Sequence, residues 1–156
     1  MNGKSILITG CSSGIGHDAA HGLRARGWRV FAACRKRVDC DRLRAEGFDS
    51  PLIDYEDETT LETGLAEVLE ATGGRLDALF NNGAYACPGL VEDVPAEALR
   101  AIFQANVFGW HALTRQVIPV MRAQGHGRSC NAPPSSASSP CLGAAPIMRR
   151  NSRSRG

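Results

Sequence analysis

Several residue types are thin in this chain of 156 residues, and each shortage excludes something. No apolar run approaches the ~18 residues needed to span a bilayer, so no membrane segment is expected. The apolar stretch Ser5–Ile8 is far too short for a secretory signal and reads as a strand. The six cysteines, Cys11, Cys34, Cys40, Cys87, Cys130 and Cys141, include no C-x-x-C pair. Six would suit a small disulfide-bonded secreted domain, but the helix–strand patterning below favours reduced thiols and a cytoplasmic location. Tyrosine occurs only as Tyr55 and Tyr85, and no lysine follows Lys36. Residues 129–156 lack acids altogether and carry four arginines, whereas residues 1–128 hold all 16 acids against 14 Lys and Arg. The net charge of +2 suggests no polyanionic partner, and four arginines without aromatics make a poor nucleic-acid site.

What is present falls into two regimes. Residues 1 to about 124 alternate short β-rich runs with helical patterns, the signature of βαβ units and a parallel sheet. Strands are expected at about Lys4–Thr9, Trp28–Ala33, Pro51–Asp54 and Leu76–Phe80. A first helix runs from Gly14 to a stop at Gly27, with Ile15, Ala19 and Leu23 on one face. A short helix falls near Asp39–Glu46, and another is capped by Asp57 and ends at Gly73-Gly74. Pro95 opens a long helix to about Met121, lined on one face by Leu99, Phe103, Asn106, Trp110, Leu113 and Val117. From Ser129 the composition changes to seven serines and four prolines with no Phe, Tyr or Trp, and no helix or strand period survives. The expected architecture is α/β: the N-terminal part of a Rossmann-type doubly wound parallel sheet of about four strands over residues 1–128. Residues 129–156 are expected to form a disordered tail.

The chemistry concentrates in Thr9-Gly10-Cys11-Ser12-Ser13-Gly14-Ile15-Gly16, between the first strand and the first helix. A turn there aims backbone N–H groups at one spot, and the helix N-terminus adds positive potential, so a pyrophosphate fits. The spacing is G-x-x-x-G-x-G rather than the common G-x-G-x-x-G, and many such turns are only tight connections; the repeating βα context favours nucleotide binding. The second strand ends in Cys34-Arg35-Lys36-Arg37, where a dinucleotide fold meets the adenosine ribose. A cation there accommodates the 2′-phosphate of NADP, so Arg35 and Lys36 favour NADP over NAD against the alternative of a solvated basic turn. His17 and His21 have metal-ligand spacing on a helix, but Asp18 follows where H-E-x-x-H needs Glu, so a polar helix face is the better account and no metal is expected. Cys11 lies near a helix N-terminus that lowers a thiol pKa, yet a small packing residue explains it more simply.

At this point the chain resembles the short-chain dehydrogenase/reductase family, in its bacterial NADP-preferring form. TGCSSGIG matches the family's TGxxxGIG, which places Gly10, Ser12, Ser13, Gly14, Ile15 and Gly16 at the cofactor. Asp54 matches the acid that contacts the adenine amino group. Asn81-Asn82-Gly83-Ala84 matches NNAG with the last two residues exchanged, which assigns Asn81 and Gly83 to the cofactor; both exchanged residues are small, so the turn should survive. Asn106-Val107-Phe108-Gly109 matches NxxG, whose Asn supports the active site through a buried water. The ordered set covers about residues 4–128. The resemblance implies hydride transfer between NADP(H) and a small carbonyl or alcohol, in a homo-oligomer.

It also implies a Ser and a Tyr-x-x-x-Lys pair after a fifth strand, and the sequence has neither. Asn106 is then the one catalytic-set residue retained. Gly127-Arg128 matches the lead into that strand, but Ser-Cys-Asn-Ala-Pro-Pro follows. Reading each third base with the next two permits I-V-Q-C-S-S-V-L-G-F-V-S-V-P-W-R-G-A-Y-N-A-S-K-F-A-L-E-G, with Tyr 13 residues after the second Ser of its Ser-Ser pair. Tyr there requires Ile147 after Pro146, and Lys requires Asn151 after Arg150. One base missing near the Arg128 codon would account for the pattern. Two other readings stay open: an inert nucleotide-binding remnant, and a non-enzymatic interaction protein using the basic tail. Loss of the fifth strand should leave the fourth as an open edge and the oligomer interface incomplete, favouring a poorly soluble or partly molten product.

Overall fold

The computed structural model describes residues 3–132. Three short apolar runs and one polar segment build a four-stranded, all-parallel sheet. Its strands are β1 (Ser5–Ile8), β2 (Arg29–Ala32), β3 (Ala78–Asn81) and β4 (Arg128–Asn131), in the order β2-β1-β3-β4. Ile8 pairs with Ala32 on one side and Phe80 on the other, so β1 is central.

Because a strand alternates its faces, the sheet needs two covers. Leu7, Phe31 and Leu79 pack with Leu61, Leu65 and Val68 of α3 (Glu58–Thr72) and with Leu113, Val117 and Met121 of α5 (Trp110–Ala123). Ile6, Ile8, Val30 and Ala32 face the opposite way, onto Ala20 of α1 (Gly14–Ala25) and Cys40 and Leu43 of α2 (Arg37–Ala45). The sheet is thus doubly wound, with one core on each face. Asp57 caps α3 by accepting from the Thr59 amide at 2.9 Å, and Gly73 closes it at φ 65°.

Three expectations are corrected. Pro51–Asp54 is not a full strand: only the bridges Phe31–Asp49 and Cys34–Leu52 form, because the chain crosses the β2 edge briefly before turning at Asp54. The long helix is broken into α4 (Ala96–Phe103), a π-helical turn (Gln104–Gly109) and α5. The wider turn rotates one half against the other, so Leu113 and Val117 are buried whereas Leu99, Phe103, Val107 and Phe108 stay exposed. Ser129–Asn131 belong to β4 rather than to a structureless tail. The Arg128 amide donates to the Asp77 carbonyl and the Ala132 amide to the Asn81 carbonyl, so β4 covers the β3 edge that was expected to be open. The remainder of the predicted tail, 133–156, lies outside the described residues.

Asp77, just before β3, ties the start of β1 to the segment that enters β4. Its Oδ2 accepts from the Ser5 amide at 2.7 Å and the Ser5 hydroxyl at 3.2 Å, and its Oδ1 lies 2.9 Å from His126 Nε2. Burial opposes ionisation, but the Ser5 amide, the His126 imidazole and the Ser5 hydroxyl outweigh it and hold the carboxyl below the usual aspartate range. A depressed folded-state pKa adds stability that is complete above the unfolded value of about 3.9 and is lost as pH falls through the folded value. Urea midpoints should therefore fall on acidification below about pH 4. Asp77→Asn should flatten part of that acid-side slope, and an unchanged slope in the variant would refute the assignment.

Candidate functional site

The chain leaves β1 to form β2 on one side and later β3 on the other. The carboxyl ends of β1 and β3 therefore diverge at a switch point, where open α/β sheets bind ligands. A cleft of about 550 Å³ opens there. Its walls come from the β1–α1 turn, Arg35 after β2, the Ile53–Glu56 turn, and Asn82–Ala86 after β3.

Close backbone approach shapes the floor. Gly10 and Gly14 have φ of 68° and 60°. A Cβ on Gly10 would lie 2.5 Å from Gly83 Cα, and one on Gly16 would lie 2.5 Å from the Gly10 carbonyl oxygen. A Cβ on Gly14 would meet nothing within 4 Å, because that position faces the cleft. Ser13 at the N-cap makes no side-chain cap hydrogen bond, and the first turn of α1 holds no acid. The amides at the start of α1 and their positive end potential are therefore offered to the cleft, the donor set an anion requires. The Arg42 guanidinium donates to the Ser12 carbonyl from outside. On this geometry the turn fits a pyrophosphate.

A polar chain fixes the two sides of the cleft to each other. Thr9 Oγ1 accepts from the Asn82 amide at 3.0 Å and the Gly83 amide at 3.1 Å, and lies 2.6 Å from the Tyr55 hydroxyl. Tyr55 donates to Asn81 Oδ1 at 2.9 Å, so the Thr9 hydroxyl is the donor to Tyr55. Asn81 Nδ2 donates to Thr114 Oγ1 and Asn131 Oδ1, both at 3.0 Å. Burial pushes the Tyr55 hydroxyl well above the ordinary tyrosine range and keeps it a neutral donor.

The structure divides the sequence-derived residues. Gly10, Ser12, Ser13, Gly14, Ile15, Arg35, Asp54 and Gly83 line the cleft. Gly16 lies beneath it as a packing contact, and Lys36 is an exposed N-cap of α2 outside it. Asn81 is fully buried in the polar chain and does not reach the cleft. Its neighbour Asn82 does: its Nδ2 donates to the Thr9 and Gly10 carbonyls, each at 3.2 Å. The doublet offered two amides of opposite facing, and strand alternation decides between them. Asn106 is half-buried, and both ends of its amide go to Tyr85: Oδ1 accepts from the Tyr85 N–H at 3.2 Å, and Nδ2 donates to the Tyr85 carbonyl at 2.8 Å. Its side chain borders a smaller hollow with Trp110, Thr114 and Asn131.

Besides Thr9, Tyr55 and Asn82, two more residues escaped sequence reasoning. Tyr85 lines the cleft and donates to Glu56 Oε1 at 3.2 Å; partial burial and the Glu56 charge raise its pKa. Trp110 donates to the Gly83 carbonyl at 2.7 Å and holds the loop after β3. Cys11 is buried, with its Sγ 3.3 Å from the Ile8 carbonyl; burial pushes its thiol up, which overrides the helix N-terminus. Cys34 is likewise pushed up to about 12 by burial and by the neighbouring Cys40 and Asp39. No helix among the described residues is long and apolar enough to cross a membrane.

Known proteins share this arrangement. The family model for short chain dehydrogenase matches residues 4–139. The Escherichia coli K12 protein described as uncharacterized oxidoreductase YbbO is 38% identical over 125 residues, covering 80% of this chain and 46% of its own length. The Bacillus subtilis protein described as uncharacterized oxidoreductase YusZ is 33% identical over 139 residues, covering 84% of this chain and 49% of its own length. A short-chain dehydrogenase from Streptomyces avermitilis superposes with a TM-score of 0.75 at 34% identity, covering 83% of this chain and 48% of that one. A 3-ketoacyl-(acyl-carrier-protein) reductase from Brucella melitensis, solved with NADH, gives 0.75 at 29% identity, covering 83% and 56%. The chain thus spans about half the length of the relatives it matches. With its glycine turn, its switch-point cleft and these matches together, this chain belongs to the short-chain dehydrogenase family.

Proposed function

We propose that this chain is the cofactor-binding half of an NADP-dependent short-chain oxidoreductase, whose intact form acts on a small carbonyl or alcohol. One observation carries the reading: an uncapped, acid-free helix N-terminus opens onto a cleft that also receives Arg35. The amides of Gly14 and Ile15 would hold the pyrophosphate, with Ser12 and Ser13 beside them. Arg35 favours a 2′-phosphate on the adenosine ribose, and Lys36 adds positive potential nearby. Asp54, in the same cleft lining, suits an amine donor such as that of adenine. A bound nicotinamide would supply hydride-transfer chemistry.

The residues that would move the accompanying proton are the part this chain lacks. No lysine lies four residues after either tyrosine. Burial and the adjacent Glu56 charge raise the Tyr85 pKa, the opposite of what an active proton donor and acceptor near neutral pH needs. Binding without turnover is the expected behaviour.

NADPH titration of the full chain, followed by nicotinamide fluorescence, should saturate. Arg35→Ala should weaken NADPH by about 10–100-fold, the worth of one charge-assisted contact, and change NADH little. Equal losses for both would remove the NADP preference, and no binding by the folded wild type would remove the cofactor reading itself. Gly10→Ala should abolish binding and cost roughly 1–3 kcal/mol in stability, because the new methyl meets Gly83 from a left-handed backbone. NADPH oxidation with a panel of carbonyls should be absent, and measurable turnover would overturn the inactivity. Re-sequencing the coding DNA across Arg128 tests the reading-frame account. It fails if Pro146-Ile147 and Arg150-Asn151 cannot be re-read as Tyr and Lys.

A further inference from the structure

The face of α1 turned away from the sheet, toward the end of α2, carries a second constellation. His17 and His21 stand one turn apart on α1, their ring centroids 4.5 Å from each other. Glu46, at the C-terminus of α2, reaches both: its Oε2 lies 3.3 Å from His17 Nε2 and 3.0 Å from His21 Nε2. One donor atom from each of the three residues falls within 4.8 Å of the others. The carboxylate that the sequence lacks between the two histidines arrives from another helix.

We propose that His17, His21 and Glu46 form a binding site for a divalent transition-metal ion of the zinc class. The two nitrogen–oxygen separations fit that chemistry. Ligands about 2.0–2.1 Å from a tetrahedral ion stand roughly 3.3 Å from one another, close to the two nitrogen–oxygen distances here. Two imidazoles and one carboxylate are a donor set for zinc, nickel or copper rather than for magnesium or calcium. Two neighbouring contacts preorganise the donors. The His21 ring packs edge-on against Phe48 with centroids 4.9 Å apart, and the Glu46 carbonyl accepts from Arg24 Nη1 at 2.8 Å.

In the metal-free arrangement both Nε2 hydrogens point to one carboxylate oxygen. When an ion takes the three lone pairs, the single hydrogen of each neutral imidazole moves from Nε2 to Nδ1 by exchange with water, with no net proton released. Asp18 Oδ1, 3.9 Å from His17 Nδ1, is placed to receive one of those hydrogens, the usual outer partner of a metal-bound imidazole. Two cations oppose the ion. Arg24 Nη2 lies 3.5 Å from His21 Nδ1, and Arg42 Nε lies 3.9 Å from Glu46 Oε1. All three ligands are partly open to water, so solvent completes the coordination.

The test is titration of the full chain with Zn²⁺ by calorimetry, and with Co²⁺ by visible absorption, which separates nitrogen and oxygen ligands from thiolates. One ion per chain is expected at this site, with cobalt d–d bands and no sulfur charge-transfer band. His17→Ala, His21→Ala and Glu46→Gln should each weaken binding at least about tenfold, since disturbing outer contacts alone costs 10–100-fold. Circular dichroism checks that each variant is folded, and Glu46→Gln keeps an acceptor for both imidazoles. Cys87→Ser and Cys130→Ser should leave the affinity unchanged. Binding that survives His17→Ala and His21→Ala, a thiolate band that vanishes with either cysteine, or equal affinity for Mg²⁺ would each overturn the site. So would the absence of Zn²⁺ binding by the folded wild type.

Discussion

The Thr9 hydroxyl is the point on which the cleft depends. It accepts from two successive amides after β3 and passes its own hydrogen to Tyr55. Each such bond adds only about 0.5–1.5 kcal/mol net, but these are buried, and a buried polar group left unmatched costs more than its bond returns. The network therefore acts as a geometric constraint. It sets how near Gly83 comes to Gly10, and that approach gives the glycine turn its shape. Tyr55 extends the constraint from β1 to Asn81, and Asn81 extends it to Thr114 on α5 and Asn131 on β4. Four elements are locked through one chain of side chains.

Above that floor the cleft lining carries both signs of charge. It offers helix-end amides and Arg35 together with the carboxylates of Asp54 and Glu56. The amides and the guanidinium attract an anion, and the carboxylates attract hydrogen-bond donors. The exposed Ile15 adds an apolar surface to the same lining.

Much of this was legible in the residues. The continuous apolar runs in Ser5–Ile8 and Arg29–Ala32 mark strands covered on both faces, and glycines at Gly10 and Gly14 suit a tight turn with positive φ. What was not legible depended on distant partners. Residues Ser129–Asn131 have no strand propensity worth the name; they form β4 because β3 presents unpaired backbone groups beside them. The π-helical turn has no signature in apolar spacing, since it is set where Asn106 meets Tyr85 and Gly109 packs against Tyr55. Asn81 and Asn82 are indistinguishable by type, and only their alternate facing separates a buried strut from a cleft wall. The histidine pair on α1 was visible; its carboxylate, 25 residues beyond His21, was not.

Asp77 has a meaning in time as well as in space. It holds Ser5 at the start of the chain and His126 just before the last strand, so its two partners are made far apart during synthesis. A ribosome must release nearly the whole described chain before this clasp can close. Until then β1, β2 and β3 can pair while the outer edge of β3 has no partner of its own, a state in which nascent chains are open to wrong associations. The clasp thus marks when β4 has joined β3, and an interruption of translation between the two would leave that edge of β3 at its most adhesive.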